Sequence, residues 1–176
     1  MHALKSLPHY TYDDYKLWEG DWELIDGIPY SMSPAATPRH QYIANNLGLV
    51  FALALKGCAD CKVYQPIDYK IDEYTVVQPD LLIVCKPIKK KFLDFPPALV
   101  VEILSDSTKE KDREVKYSLF EKEGIPWYLM VDPDKETVEI YQLKTKKYHK
   151  IETVHDESFT FNIGTCKAPV VMKEIW

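Results

Sequence analysis

Two carboxylates stand where apolar residues are expected, and a lysine follows them at a separation that one strand–helix unit can bridge. Glu102 interrupts the run Ala98-Leu99-Val100-Val101-Glu102-Ile103-Leu104, and Asp80 is set among Val76, Val77, Leu81, Leu82, Ile83 and Val84 with Pro79 beside it. A carboxylate buried without a partner costs on the order of several kcal/mol or stays neutral through a raised pKa, so each needs a reason. Oxygen ligands on adjacent strands suit a hard cation such as Mg²⁺ or Mn²⁺. The plainer reading is that each acid caps a strand end or pairs with Arg or Lys. Lys116 bears on the choice. On a helix read from Thr108 to Glu123 it falls within about 60° of Leu119 and Phe120, so it shares the buried stripe. Asp112 lies one turn earlier on the same side and offers a partly exposed ion pair; the sharper alternative has Lys116 reaching Asp80, Glu102 and a water between them.

The elements that must position these groups follow from spacing and punctuation. Thr11 with Asp14 three residues on makes a capping-box start for a short helix to about Glu19. Trp22–Ile25 and Ile28–Met32 read as a hairpin on an Asp26-Gly27 turn. Thr37 as N-cap and Pro38 at the first helical position open a helix carrying Ile43, Leu47, Val50, Phe51 and Ala54, stopped by Gly57. Cys61–Ile71, Val76–Cys85 and Ala98–Leu104 read as three strands, Thr108–Glu123 as a helix ended by Gly124, and Trp127–Val131 as a buried strand closed by Asp132-Pro133-Asp134. The core order is therefore αβββαβ. Thr137–Leu143 and Tyr148–Thr153 extend it as a hairpin, with Phe159–Phe161 and Val170–Ile175 as late strands.

The chain has 176 residues, which sets a prior of one domain, 1–176, with a core large enough to need no staples. A net charge of -5 means that the molecule as a whole repels polyanions, so any such site is local or bridged by a metal. The concentrated positive charge is Lys89-Lys90-Lys91. No apolar run approaches the length of a membrane span, and residues 1–8 contain no signal-peptide core, which reads as a soluble, cytoplasmic protein. Cys58-Ala59-Asp60-Cys61 is a C-x-x-C, but a zinc site calls for a second pair, and Cys85 and Cys166 are single and distant; reduced thiols are the expectation. The alternating lysines and tyrosines of Tyr141–Lys150 read as a solvent-facing hairpin in preference to a nucleic-acid face.

Gln78-Pro79-Asp80, Glu102 in Val-Val-Glu-Ile-Leu-Ser, the Asp-Ser-Thr that follows, a helix with Asp112 and Lys116, and Trp127 to Pro133 together resemble the Uma2 family, of the PD-(D/E)XK restriction-endonuclease-like superfamily. Trp22-Glu23-Leu24-Ile25-Asp26-Gly27, Met32-Ser33-Pro34 and His40 belong to the same likeness, which spans roughly residues 11 to 143. The resemblance implies an α/β restriction-endonuclease-like fold, a mixed sheet flanked by helices, with an N-terminal helix and hairpin and extra C-terminal strands. It also implies supporting roles for Glu23 and His40. One departure is plain: the superfamily's lysine stands two residues after the acid, where this chain has Leu104, and Lys116 is its replacement from the next helix.

The function this implies is Mg²⁺- or Mn²⁺-dependent endonucleolytic hydrolysis of DNA. Asp80, Glu102 and the backbone carbonyl of Ile103 are the expected metal ligands, and Lys116 is expected to act on water or phosphate. Arg39 and His40, at a helix N-terminus, and Lys89, Lys90 and Lys91 are candidate phosphate contacts. The rival is a non-catalytic module on the same fold, binding nucleic acid or protein through a decayed site, which the acidic net charge favours slightly. A homodimer through a sheet edge or the Tyr141–Lys150 hairpin would present two sites to two strands.

Overall fold

The structure is a computed structural model that describes residues 8–32, 36–105 and 111–176; the side chains at 111 and 112 also lie outside the description. Helix α1 is Tyr12–Tyr15, capped as expected by Thr11, whose N–H and hydroxyl both donate to Asp14. It ends four residues before Glu19. The hairpin β1 (Trp22–Ile25) and β2 (Ile28–Ser31) turns at Asp26 and Gly27 with φ of 50° and 76°. Two consecutive positive φ angles define the tight turn whose twist suits a hairpin, which is what Asp-Gly supplies. Thr37 accepts the N–H of His40 and so starts α2, Pro38–Ala54, where Ile43, Leu47 and Phe51 form the buried stripe. The helix ends at Leu55, two residues before Gly57.

The expected strand Cys61–Ile71 is two strands in two sheets, β3 (Lys62–Tyr64) and β4 (Tyr69–Lys70). Pro66 lies between them and has no N–H for a ladder, so the chain changes sheet there. Val76–Cys85 divides in the same way at Pro79, into β5 (Val76–Val77) and β6 (Leu81–Val84). Strands β2, β1, β5 and β4 make a small four-stranded sheet. The larger sheet begins with β3 and β6 and continues through β7 (Leu99–Ile103), β8 (Trp127–Asp132), β9 (Thr137–Lys144) and β10 (Lys147–Val154). Pairs β3–β6 and β6–β7 are antiparallel and β7–β8 is parallel, so the αβββαβ order holds, with β4 and β5 diverted on the way.

Between β7 and β8 the chain forms a π-helical turn, Lys111–Lys116, continuing as α3, Tyr117–Glu123. Gly124 closes α3 in the left-handed conformation, φ 76°. The expected start at Thr108 lies outside the described residues. At the C-terminus β11 (Ser158–Ile163) pairs with β12 (Cys166–Val171). Met172–Ile175, expected as strand, is a 3₁₀ turn.

Alternation along the central strands sends side chains to two cores. Leu81, Ile83, Leu99, Val101 and Leu129 pack under α2 with Phe161 and Val170 of the C-terminal hairpin. Leu82, Val100, Tyr128 and Met130 pack against Phe120 and Ile125 on the α3 side. Full burial of each such side chain stabilises the fold by about 1.5–3 kcal/mol. Tyr141 and Tyr148 turn inward and meet Tyr117 and Tyr128 edge-on or tilted, which makes the β9–β10 hairpin a wall of the core. The cysteines depart from expectation: Cys58 is bonded to Cys166 and Cys61 to Cys85.

Candidate active site

Asp80 is the residue immediately before β6, where the chain passes from the small sheet to the large one. The last pair of the β6–β7 ladder is Leu81 with Val101, and Asp80 stands just beyond it, against the end of β7. The Asp80 carboxylate accepts the N–H of Ile103 through Oδ2 at 2.7 Å, and His40 Nε2 stands 3.3 Å from the same oxygen. Its side chain is 16% exposed, so the group is reachable from solvent. Ile103 thus meets Asp80 through its N–H.

Glu102 shares the α3 side of β7 with Val100, since strand neighbours two apart point the same way. Its residue is 2% exposed, and Oε1 accepts a hydrogen bond from Lys116 Nζ at 2.8 Å. Lys116 itself is 1% exposed, which agrees with the buried stripe read from the sequence. Its ammonium also lies 2.8 Å from Oε1 of Glu23, a fully buried residue of β1. The amine therefore joins Glu102 of the large sheet to Glu23 of the small one. Glu23 is held in turn by the backbone N–H of Gln78 at 2.9 Å. The sequence offered Lys116 a contact with Asp80; the structure engages Asp80 with His40 and Ile103, and gives Lys116 to the two glutamates.

A π-helical turn makes this reach possible. Widening the helix just before α3 changes which residues face the sheet, and such turns recur at functional sites. Arg113, in the same turn, anchors it through Nη1 and Nη2 to the Glu139 carboxylate at 3.4 and 3.1 Å. Burial pushes Glu139 up, but the Tyr141 hydroxyl and the Arg113 guanidinium outweigh it and hold the carboxyl at about 2. Sequence patterning did not single out Arg113, because the two partners are far apart in the chain. The Asp112 side chain, a candidate partner of Lys116, lies outside the described residues.

Next to Gln78 is a hollow that sequence reading also missed. The Gln78 side chain donates to Asp68 Oδ1 at 2.8 Å, and Tyr15 Oη donates to the same oxygen at 2.8 Å. Tyr12, Trp18, Trp22, Phe92 and Lys91 complete its walls. Lys89, Lys90 and Lys91 are exposed, with Lys90 holding Asp94 at 2.6 Å. Arg39 pairs with Glu136 at 2.6 Å.

Among the described residues, Asp80, Glu102 and Glu23 set three carboxylates against one ammonium and an imidazole. The donors are hard oxygens and the outer one is solvent-accessible, which fits a hard divalent cation better than a soft one. The sheet order and its flanking helices define a restriction-endonuclease-like fold, and a solved structure bears this out. A protein of Anabaena variabilis ATCC 29413, described as a putative nuclease belonging to DUF820, superposes with a TM-score of 0.73 at 16% identity over 94% of this chain and 96% of its own. The pattern of the Uma2 family, described as putative restriction endonuclease, matches residues 12–161, and the chain belongs to that family. The uncharacterized protein slr1290 of Synechocystis sp. (strain ATCC 27184 / PCC 6803 / Kazusa) is 31% identical over 147 residues, 77% of this chain and 75% of that protein. No described helix is long and apolar enough to cross a membrane.

Proposed function

We propose that the chain is a metal-dependent endonuclease hydrolysing DNA phosphodiester bonds. The observation that carries this reading is that Asp80 accepts the N–H of Ile103 at 2.7 Å, next in the chain to Glu102, which itself lies 2.8 Å from Lys116. Asp80 and Glu102, with the Ile103 carbonyl, would hold Mg²⁺ or Mn²⁺, which when bound supplies a Lewis acid for the phosphate and a lowered pKa for water.

The protein's own groups have separate tasks. Asp80 accepts the Ile103 N–H, which favours its position at the end of the ladder before any ligand arrives. Lys116 offers positive charge to the phosphoryl oxygens, where charge develops during displacement, and contributes roughly 10²–10³-fold if it acts like a typical preorganised donor. Glu23 holds the amine in place. His40, at the start of α2, faces Asp80 and is placed to donate to phosphate. The hollow walled by Tyr12, Trp18 and Lys91 gives flanking bases aromatic faces and a cation.

A second reading has its own support: the Glu23–Lys116–Glu102 bridge is complete and buried as it stands, as a structural tie between two sheets would be. On that reading the fold binds DNA or protein without cutting. Incubation of supercoiled and linear DNA with the protein and Mg²⁺ or Mn²⁺ decides. The endonuclease reading expects nicking or cutting that chelator abolishes and that Asp80→Asn and Glu102→Gln each lose while remaining folded by circular dichroism. Failure to cut any DNA form with either metal leaves the non-catalytic reading.

A further inference from the structure

The four cysteines, which sequence reading kept apart, meet at one place. Cys58 follows the turn that ends α2, Cys61 precedes β3, Cys85 follows β6 and Cys166 opens β12. The Cys58–Cys61 segment is a tight turn in which the Cys61 N–H donates to the Cys58 carbonyl at 3.3 Å, so both sulfurs come from one bend. Lys62 pairs with Val84, and one step further the ladder sets Cys61 opposite Cys85. The β11–β12 turn brings in Cys166, which is bonded to Cys58, and a Cβ at Gly164 of that turn would lie 4.0 Å from the Cys85 sulfur. The sulfurs of Cys58, Cys61 and Cys166 all lie within 4.8 Å of one another, and Cys85 is bonded to Cys61.

We propose that in the reduced chain, before either S–S bond forms, these four residues hold a structural zinc ion as thiolates in place of the two disulfides, each thiol giving up its proton to solvent as it binds. The two pairs are adjacent to each other: the Cys58, Cys61 and Cys166 sulfurs are mutual neighbours within 4.8 Å, and Cys85 joins them through Cys61. A tetrahedral S₄ set with Zn–S of about 2.3 Å is the arrangement zinc takes in closed structural sites, and a C-x-x-C turn with two further cysteines is how proteins build it. Charge supports the same assignment. Four thiolates and Zn²⁺ leave a doubly negative centre, and exposed Lys56, Lys62, Lys86 and Lys167 each lie within two residues of a ligand. The site is also distinct from the acid pair: Asp80 and Cys85 flank opposite ends of β6, roughly 17 Å apart for an extended chain. Its role is to tie the β11–β12 hairpin, which supplies Phe161, Ile163 and Val170 to the core, to the end of α2 and the edge of the large sheet.

The test uses the full chain, expressed with zinc in the medium and purified without oxygen, reductant or chelator. Expected are one zinc per chain by elemental analysis, and four thiols that become reactive to a thiol reagent only when a mercurial displaces the metal. Replacement by Co²⁺ should give the visible absorption of tetrahedral tetrathiolate cobalt. Cys85→Ser or Cys166→Ser should lose most of the zinc, whereas Asp80→Ala should keep it, which separates this site from the acid pair. A zinc-free protein, either with a mass showing both cysteine pairs oxidised or with four freely reactive thiols, overturns the proposal, as does a cobalt spectrum lacking the tetrahedral bands. Because the wild-type measurements need no variant, a misfolded serine mutant leaves the test intact.

Discussion

Lys116 Nζ reaches Glu102 Oε1 at 2.8 Å from a π-helical turn, and both residues are almost wholly buried. Charges in such surroundings are costly unless compensated, so removing one partner leaves the other stranded. The second glutamate on the same amine, Glu23, would be stranded with it. Lys116→Met should therefore lower unfolding stability by about 3–5 kcal/mol by urea denaturation, and adding Glu23→Gln to that variant should recover part of the loss. A loss under about 1 kcal/mol would mean that the bridge holds nothing together.

Asp80→Asn tests the acid pair without a substrate. An amide oxygen can still accept the Ile103 N–H, so the variant keeps that hydrogen bond while losing the charge. Metal-free, it should melt at the wild-type temperature or above. Mg²⁺ should raise the wild-type melting temperature as RT ln(1 + [Mg²⁺]/Kd) and leave the variant unmoved. A lower melting temperature for the variant in chelator, with no magnesium effect on wild type, would reduce Asp80 to a strand cap.

The Arg113–Glu139 contact sets where the π-helical turn sits, so its loss should be felt at Lys116. Arg113→Ala should lower the melting temperature by roughly 2–4 °C, the effect of about 1 kcal/mol in a chain of this size. Any DNA cleavage should fall in kcat more than in KM, because the positioned amine acts in the transition state. Equal loss in both would mean that Arg113 serves DNA binding instead.

Glu139 also gives a pH signature. Its carboxyl is held at about 2 in the folded protein against 4.5 ordinarily. A depressed folded value favours the native state above the ordinary value, and that contribution disappears as pH falls from about 4.5 toward 2. Glu139→Gln should lose this part of the acid sensitivity, so the difference between the two proteins in urea midpoint should shrink across that window. A difference independent of pH would remove Glu139 from the titration.

Lys89, Lys90 and Lys91 are exposed, as phosphate contacts need to be, and Lys91 lines the aromatic hollow. Changing all three to alanine should reduce the salt dependence of DNA binding by up to about three units of slope, and an unchanged slope would take the loop out of the interface.

Much of this was readable from local signals. The Asp-Gly hairpin, the Thr37-Pro38 helix start and the Glu102 strand rest on spacings of a few residues, and local chemistry alone decides them. The inward face of Lys116 followed from helical period. Where a proline removed a ladder donor, at Pro66 and Pro79, the break was visible but its consequence, a change of sheet, was not, because pairing partners lie far along the chain. The same limit hid the outcome at the site. Glu23 is 93 residues from Lys116 in sequence, and its place on that amine depends on how the small sheet docks on the large one. Cys58 and Cys166, 108 residues apart, meet because the C-terminal hairpin packs against α2. Residue types and local geometry were set by the sequence, while convergence of distant groups was decided by burial of apolar faces, which acts through the whole fold at once.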